Sequence, residues 1–225
     1  MKISKTLLLL AFAGLFVSSA QAKSHRFAVG DSSKKIVAIV GADGTIEWQH
    51  PIRSIHDLHV LPNGNILFQE HFGHVIELTP DKKVVWKYES PQPKNKKERA
   101  KRTEIHAFQR LKNGWTMVAE SGTGRILEID RKGKIRKEIK LTIDKPHPHR
   151  DTRLVRKLDN GHYLVAHEGD GKIREYDADG KVVWEYAVPL FGKKPRGGHD
   201  GFGNSAFCAL RLKNGNTLIG TGNGH

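Results

Sequence analysis

Four times along this chain a short apolar segment, an Asn-Gly pair and a second apolar segment follow one another. The copies run over Leu58–Phe68, Phe108–Val118, Val155–Val165 and Ala209–Ile219. Asn-Gly between two apolar runs is a strong hairpin signal, since the backbone there must enter a conformation that these two residues tolerate. The pairs Asn63-Gly64, Asn113-Gly114, Asn160-Gly161 and Asn214-Gly215 lie 50, 47 and 54 residues apart, which is the period of a β-propeller blade. A second marker falls between them, at Asp43-Gly44, Asp81-Lys82, Lys132-Gly133 and Asp179-Gly180. It follows the preceding Asn-Gly by 18, 19 and 19 residues, whereas the next Asn-Gly comes 20, 32, 28 and 35 residues later. The rigid half predicts a four-stranded antiparallel meander, A-B-C-D, with tight A–B and C–D turns. The variable half is the D–A passage from blade to blade.

Strand D alternates, as in Val182, Trp184 and Tyr186 against Val183 and Glu185, so one face is the more buried. Its Trp recurs as Trp48, Trp86 and Trp184 and is lost in the third copy, Lys134-Ile135-Arg136-Lys137. The indoles are expected to pack between neighbouring sheets. The fold class is therefore all-β, a propeller of four-stranded antiparallel blades over residues 23–225. Blade 1 supplies strands B-C-D at 26–50, blade 2 spans 57–88, blade 3 105–141 and blade 4 153–188. Blade 5 has strands A and B only, at 206–219. Closed propellers of such blades have six or more, so the sequence reads as the N-terminal part of a longer propeller, or as a short chain that closes by oligomerising.

The ends and the composition narrow the setting. Lys2 and Lys5, the apolar run Leu7–Val17 and Ala20-Gln21-Ala22 have the form of a cleaved signal peptide over residues 1–22. This predicts a secreted or periplasmic protein, and no later stretch is apolar enough to span a membrane. Cys208 is the single cysteine, so no internal disulfide can form. Set in Ala206-Phe207-Cys208-Ala209-Leu210, it reads as a small core residue. Formal charge is +14, and the mature chain without Lys2 and Lys5 would carry +12. Such a surplus favours an anionic small molecule or acidic polysaccharide as partner, and export argues against nucleic acid. Part of it lies in the run Lys94–Arg102, which reads as a solvated loop.

Ten of the 13 histidines fall in or beside the B–C and D–A connections, which share one face of a meander. Seven residues before each turn Asn stand His56, His106, Arg153 and Phe207. Strand A lines the channel of a propeller, so these positions converge. Two imidazoles and a guanidinium there could bind an oxyanion or donate protons to one. The D–A loops add His149, Arg150 and His199, and Asp57 stands beside His56. For any one of these, such as His56-Asp57, a plain structural hydrogen bond is the competing reading. His147-Pro148-His149, or His71 with His74, could ligate zinc or copper, but neither has a recognised ligand spacing and no metal is expected. Glu70 and Glu120 read as rim charges.

Asp179-Gly180-Lys181-Val182-Val183-Trp184 and Leu61-Pro62-Asn63-Gly64-Asn65-Ile66-Leu67 resemble the repeats of exported PQQ-like (quinoprotein-like) propellers. The resemblance covers the whole mature chain. In the quinoprotein dehydrogenases an Asp-x-x-Thr-Gly-Lys-x-x-Trp repeat docks the blades, and a vicinal disulfide with calcium holds the quinone. Here the threonine is absent and one cysteine excludes that disulfide, so neither PQQ nor another cofactor is expected. The segment Ile55–Asn65 is similar to the His-Asp … Leu-Pro-Asn-Gly-Asn blade opening of the arylsulfate sulfotransferases. That family uses axial histidines and an arginine, and one histidine takes the sulfuryl group. By position the resemblance implies His56, His106 and Arg153 as catalytic candidates, with His199 a further one. It does not say which would be the nucleophile. The leading reading is a protein that binds an anionic small molecule or glycan on the His-rich face. The alternative is sulfuryl transfer to a phenol.

Overall fold

A computed structural model describes residues 24–94, 102–192 and 203–222. Among them are 17 strands and no helix. The first sheet holds β1 (Phe27–Asp31), β2 (Ile36–Val40) and β3 (Ile46–Pro51). The second holds β4 (Leu58–Val60), β5 (Ile66–His71), β6 (His74–Leu78) and β7 (Val84–Glu89). The third comprises β8 (Glu104–Arg110), β9 (Thr116–Ser121), β10 (Arg125–Ile129) and β11 (Ile135–Lys140). The fourth comprises β12 (Val155–Lys157), β13 (Tyr163–His167), β14 (Lys172–Tyr176) and β15 (Val182–Ala187). A hairpin of β16 (Ala206–Arg211) and β17 (Thr217–Thr221) forms the fifth. In every sheet the strands lie side by side in chain order, all antiparallel. The opening strands β8, β12 and β16 of successive sheets neighbour one another. The all-β blade architecture read from the sequence holds.

The Asn-Gly turns owe their form to two local effects. In the first copy the Gly64 amide donates to the Leu61 carbonyl at 2.9 Å, and Leu61 N–H returns to the Asn65 carbonyl at 2.8 Å. Only the glycine has positive φ, +83° at Gly64, so the turn is type I followed by a left-handed glycine. The asparagine side chain accepts the amide two residues on, from Asn65 to Asn63 Oδ1 at 3.1 Å. The same bond recurs at Asn113, Asn160 and Asn214.

Each inner sheet lies between two others, so its second strand is apolar on both faces. Ile66 and Phe68 of β5 pack toward the first sheet with Val37 and Ile39, while Leu67 packs toward the third with Phe108 and Val118. In β9, Met117 and Ala119 face the fourth sheet with Val155 and Tyr163. Leu164 and Ala166 of β13 face the fifth with Ala206 and Ala209. The core is therefore a series of layers between sheets.

Strand D is the outer, largely exposed edge of each four-stranded sheet, and its buried residues are Trp86 in β7 and Ile139 in β11. Trp86 is buried, and its Nε1–H donates to the Asp130 carbonyl of the next sheet at 3.1 Å. Trp48 does the same to the Pro80 carbonyl at 3.1 Å. Arg110 lies over Trp86 with 5.4 Å to the ring centre, and Arg211 over Trp184 with 5.2 Å. These two cations, and Lys157 at the same turn-relative position over Tyr163, also pair backward to strand C of the preceding sheet: Arg110 with Glu77, Lys157 with Glu128 and Arg211 with Glu175.

Two expectations fail on local detail. Cys208 is exposed, because a bulge between Ala206 and Cys208 in the β16–β17 pairing interrupts the alternation that would have buried it. Glu120 is fully buried. It accepts from the Tyr88 hydroxyl at 2.7 Å and from Arg125 Nε at 2.6 Å, since β9 is covered on both sides. Glu70 remains half-exposed between His50 and His74.

Candidate functional site

Side chains from three sheets meet where the opening strands begin. His56 precedes β4, and its amide donates to Gln69 Oε1 at 2.8 Å. Gln69 in turn donates from Nε2 to the Ile105 carbonyl at 2.7 Å, which ties the His56 backbone to β8. Glu104 and His106 both lie on β8, and a bulge in its pairing with β9 between Ile105 and Ala107 accompanies the approach of their side chains to 3.1 Å. The connection from β11 to β12 brings His149 and Arg153. Asp151 shapes that turn by accepting amides from His147 at 2.5 Å and Gly122 at 2.9 Å. Gly122 must be a glycine here. Its φ is +89°, and a Cβ would stand 2.3 Å from the Arg102 carbonyl and 3.3 Å from Pro148.

The ring centres of His56 and His106 are 4.2 Å apart, those of His106 and His149 5.0 Å, and those of His56 and His149 5.7 Å. Glu104 sits beneath them. Its Oε2 is 3.1 Å from His106 Nε2 and also accepts from His149 Nδ1, while Oε1 accepts from Arg102. His106 Nδ1 faces the Thr152 carbonyl at 2.7 Å, so that nitrogen carries the proton. Arg153 donates from Nη2 to His149 Nε2 at 3.0 Å and pairs through Nε with Glu168. It also covers the Phe207 ring, 5.7 Å from its centre. Beside this group opens a cavity of about 370 Å³ lined by His56, His106, Arg153, Leu154, Phe207 and Cys208.

Burial is the largest influence on Glu104, His106 and His56. It would raise the Glu104 carboxyl, but hydrogen bonds from His106, His149 and Arg102 outweigh it and hold that carboxyl well below the usual range. Burial pushes His106 down against the opposing bond to Glu104. His56 is pushed down to about 3, by burial of its inner edge and then by the charges of His106, Arg153 and His149. Its outer edge meets solvent, and its ring nitrogens have no hydrogen-bond partner among the described residues.

The residues singled out in the sequence fare differently. His56, His106, Arg153 and Phe207 are brought together around one cavity, and His149 joins them. Asp57 is drawn away from it. Its carboxylate takes both Nη atoms of Arg156, at 2.8 and 3.0 Å, and the Phe108 amide at 3.2 Å. Arg150 belongs to the same turn as His149, yet among the described residues its hydrogen bonds are those of its backbone, with its amide to the His147 carbonyl at 2.9 Å. His199 lies outside the described residues, as do residues 95–101 of the basic run. His71 and His74 stack at 5.1 Å away from the cluster, and His147 turns its Nδ1 to the His149 amide at 3.1 Å. Glu104 is the residue that sequence reasoning passed over. A signal existed, since the position two before the convergent register is polar in every copy: Ser54, Glu104, Asp151 and Ser205. One ligand atom from each of His56, Glu104, His106 and His149 can be chosen so that all four lie within 4.8 Å of one another, a set able to hold a metal ion.

Residues 53–225 match the family model described as "Outer membrane protein assembly factor BamB", one of the PQQ-repeat models. The chain belongs to this BamB-like, PQQ-repeat family. No curated protein matches this BamB-family chain. Solved structures do. A protein of unknown function from Bacteroides caccae is 23% identical with a TM-score of 0.68, over 86% of this chain and 64% of that one. Virginiamycin B lyase from Staphylococcus aureus is 14% identical with a TM-score of 0.61, over 88% of this chain and 60% of the lyase. The WD40 β-propeller domain of Doa1 is 13% identical with a TM-score of 0.62, over 88% and 58%. At these identities the likeness is one of fold, and the BamB-family chain spans roughly three fifths of the length of each of the three.

Proposed function

We propose that this BamB-family propeller is exported and binds an anionic small molecule or acidic glycan at the cavity beside His56, His106, His149 and Arg153. The convergence of His56, His106 and Arg153 on one cavity of about 370 Å³, with His149 packed against both rings and the guanidinium, carries the reading. Such a set offers the uncommitted ring of His56 and a permanent cation, Arg153, to a ligand rich in acceptor oxygens. The N-terminal pattern around Leu7–Val17 and the net charge of +14 support an exported protein that meets anions. The test is titration with sulfate, an aryl sulfate and a uronate oligosaccharide at several salt concentrations. Affinity for at least one should fall as salt rises, and Arg153→Ala should weaken it by about tenfold, the loss of one charge-assisted bond. Binding that ignores both salt and Arg153 would refute the electrostatic basis of the reading.

One observation favours sulfuryl transfer as a second reading: His56 offers uncommitted ring nitrogens at the cavity edge. In that reaction an imidazole nitrogen of His56 attacks the sulfur of an aryl sulfate, and the S–O bond to the aryl group breaks. The phenoxide leaves and is protonated. The oxygen of an acceptor phenol then takes the sulfuryl group, breaking the S–N bond and releasing its proton. Arg153 would stabilise charge on the sulfuryl oxygens. Phenol release from an aryl sulfate should then accelerate with an added acceptor phenol and vanish in His56→Ala. Unchanged release in that variant would remove the reading.

A further inference from the structure

We infer that His56, Glu104, His106 and His149 form a binding site for a divalent transition-metal cation, with Zn²⁺ as the type case. This deepens the proposed anion site, and it rests on that reading for what the metal does, though not for its binding.

Donor type and spacing come first. Three imidazoles and one carboxylate are a borderline-soft donor set suited to a four-coordinate cation. Metal–ligand distances of about 2.0–2.2 Å place tetrahedral donors about 3.3 Å apart. The four donor atoms lie within 4.8 Å of one another, so contraction by at most about 1.5 Å closes the shell. Two members can supply it, His56 from the cavity edge and His149 from its turn. The other two are buried and fixed on adjacent alternate positions of β8.

Proton placement is the second argument. His106 Nδ1–H is bound to the Thr152 carbonyl at 2.7 Å, an anchor of the kind that orients metal-ligating histidines. In the neutral ring Nε2 carries a lone pair that points at Glu104 Oε2, 3.1 Å away, and only a protonated ring donates there. Two acceptors face each other across a gap that one positive centre, a proton or a metal cation, can bridge. Glu104 keeps its other oxygen on Arg102, so the carboxylate is held from behind and offers Oε2 alone.

The third argument concerns charge. Glu104 and Glu168 are matched by Arg102 and Arg153, so these carboxylates offset part of the pull that the cluster exerts on an anion. A divalent cation among these donors makes the site net positive. Coordination through His149 Nδ1 would also move that ring's proton to Nε2, where it opposes the donating Nη2 of Arg153. The guanidinium would then be released toward the cavity. The metal thus supplies both the charge and the free donor that an anion needs. The ligands come from the β3–β4 loop, β8 and the β11–β12 loop, and for that reason no ligand spacing betrays the site in the sequence.

The test uses the full chain, stripped with a chelator, desalted and titrated with ZnCl₂ and separately with CoCl₂. One metal ion per chain is expected, with the intense visible absorption of tetrahedral Co²⁺. Affinity should fall at least about 100-fold in Glu104→Gln and in His56→Ala, and it should stay unchanged in a His71→Ala/His74→Ala double variant. His56 lies at the exposed edge, so its variant keeps the test valid even if Glu104→Gln does not fold. Uptake that is absent, or that survives both single changes, or that vanishes in the double variant, overturns the site. Sulfate titration of the stripped and zinc-loaded forms separates the two readings. Tighter sulfate binding with zinc supports the metal's role, and equal binding in both forms overturns that role. Salt-sensitive sulfate binding without zinc uptake would sink the metal site and leave the anion site standing.

Discussion

Asp57 stands where three sheets touch, and its neighbours define what its loss would do. Its carboxylate is almost fully buried and shared between Arg156 of the fourth sheet, the Phe108 amide of the third and its own strand. Burial would raise this group, but bonds from His59 and Arg156 outweigh that and lower it, so it stays ionised. Asp57→Ala leaves a guanidinium and an amide without their acceptor, and the chain should lose about 2–3 kcal/mol. Urea unfolding measures it, and a change within about 0.5 kcal/mol would show the clasp to be idle. At this scale the sequence was partly legible. His56, His106 and Arg153 were readable because turn-relative register survives folding. The separation of Asp57 from them was not, because its partner lies 99 residues away. Glu104 was hidden by a different cause. His106 is readable from its turn-relative register, whereas Glu104 joins it only because β8 begins at Glu104 and bulges at His106.

At the scale of elements, the outer strand of one sheet is fastened to the next by its indole. Trp86 is the most buried of the three repeated indoles and holds both a carbonyl and a covering guanidinium. Trp86→Ala should therefore cost about 3–5 kcal/mol, the range for truncating a buried Trp, and more than Trp48→Ala or Trp184→Ala, whose indoles are partly exposed. Thermal unfolding of the three variants gives the ranking, and equal losses would mean that exposure does not govern this contact. The apolar runs Ile66–Phe68, Met117–Ala119 and Tyr163–Ala166 made the inner strands legible because both their faces are covered. Cys208 was misjudged because alternation presumes an unbroken ladder, and a bulge breaks it. The acidic partner of each cation at the Arg110 register (Glu77, Glu128, Glu175) lies in the preceding blade, beyond any local pattern.

Across the whole molecule, the buried histidines set how stability follows pH. His167 is fully buried, with Nδ1 on the Asp151 carbonyl at 2.7 Å and Nε2 accepting from the Tyr176 hydroxyl at 2.9 Å. Burial pushes it down to about 4. His106, also buried, moves the same way. Below the ordinary histidine pKa of about 6.5 the unfolded chain takes up protons that the folded chain refuses. Stability is complete above that pH and drains away as pH falls toward 4, by on the order of 2–3 kcal/mol from His167. Lowered carboxylates such as Asp57 and Glu77 withdraw their share at still lower pH. Thermal midpoints taken at unit steps should be level above pH 7, sink between 6.5 and 4 and fall faster beneath. A flat profile down to pH 4 would contradict the burial of these rings. In arrays of repeats, cooperativity ordinarily passes only between adjacent units. The Asp57–Arg156 clasp reaches from the second sheet to the fourth and takes the amide of Phe108 in the third on its way. The second sheet cannot open without breaking a bond to each of the other two, so this clasp carries cooperativity between two units that are not adjacent.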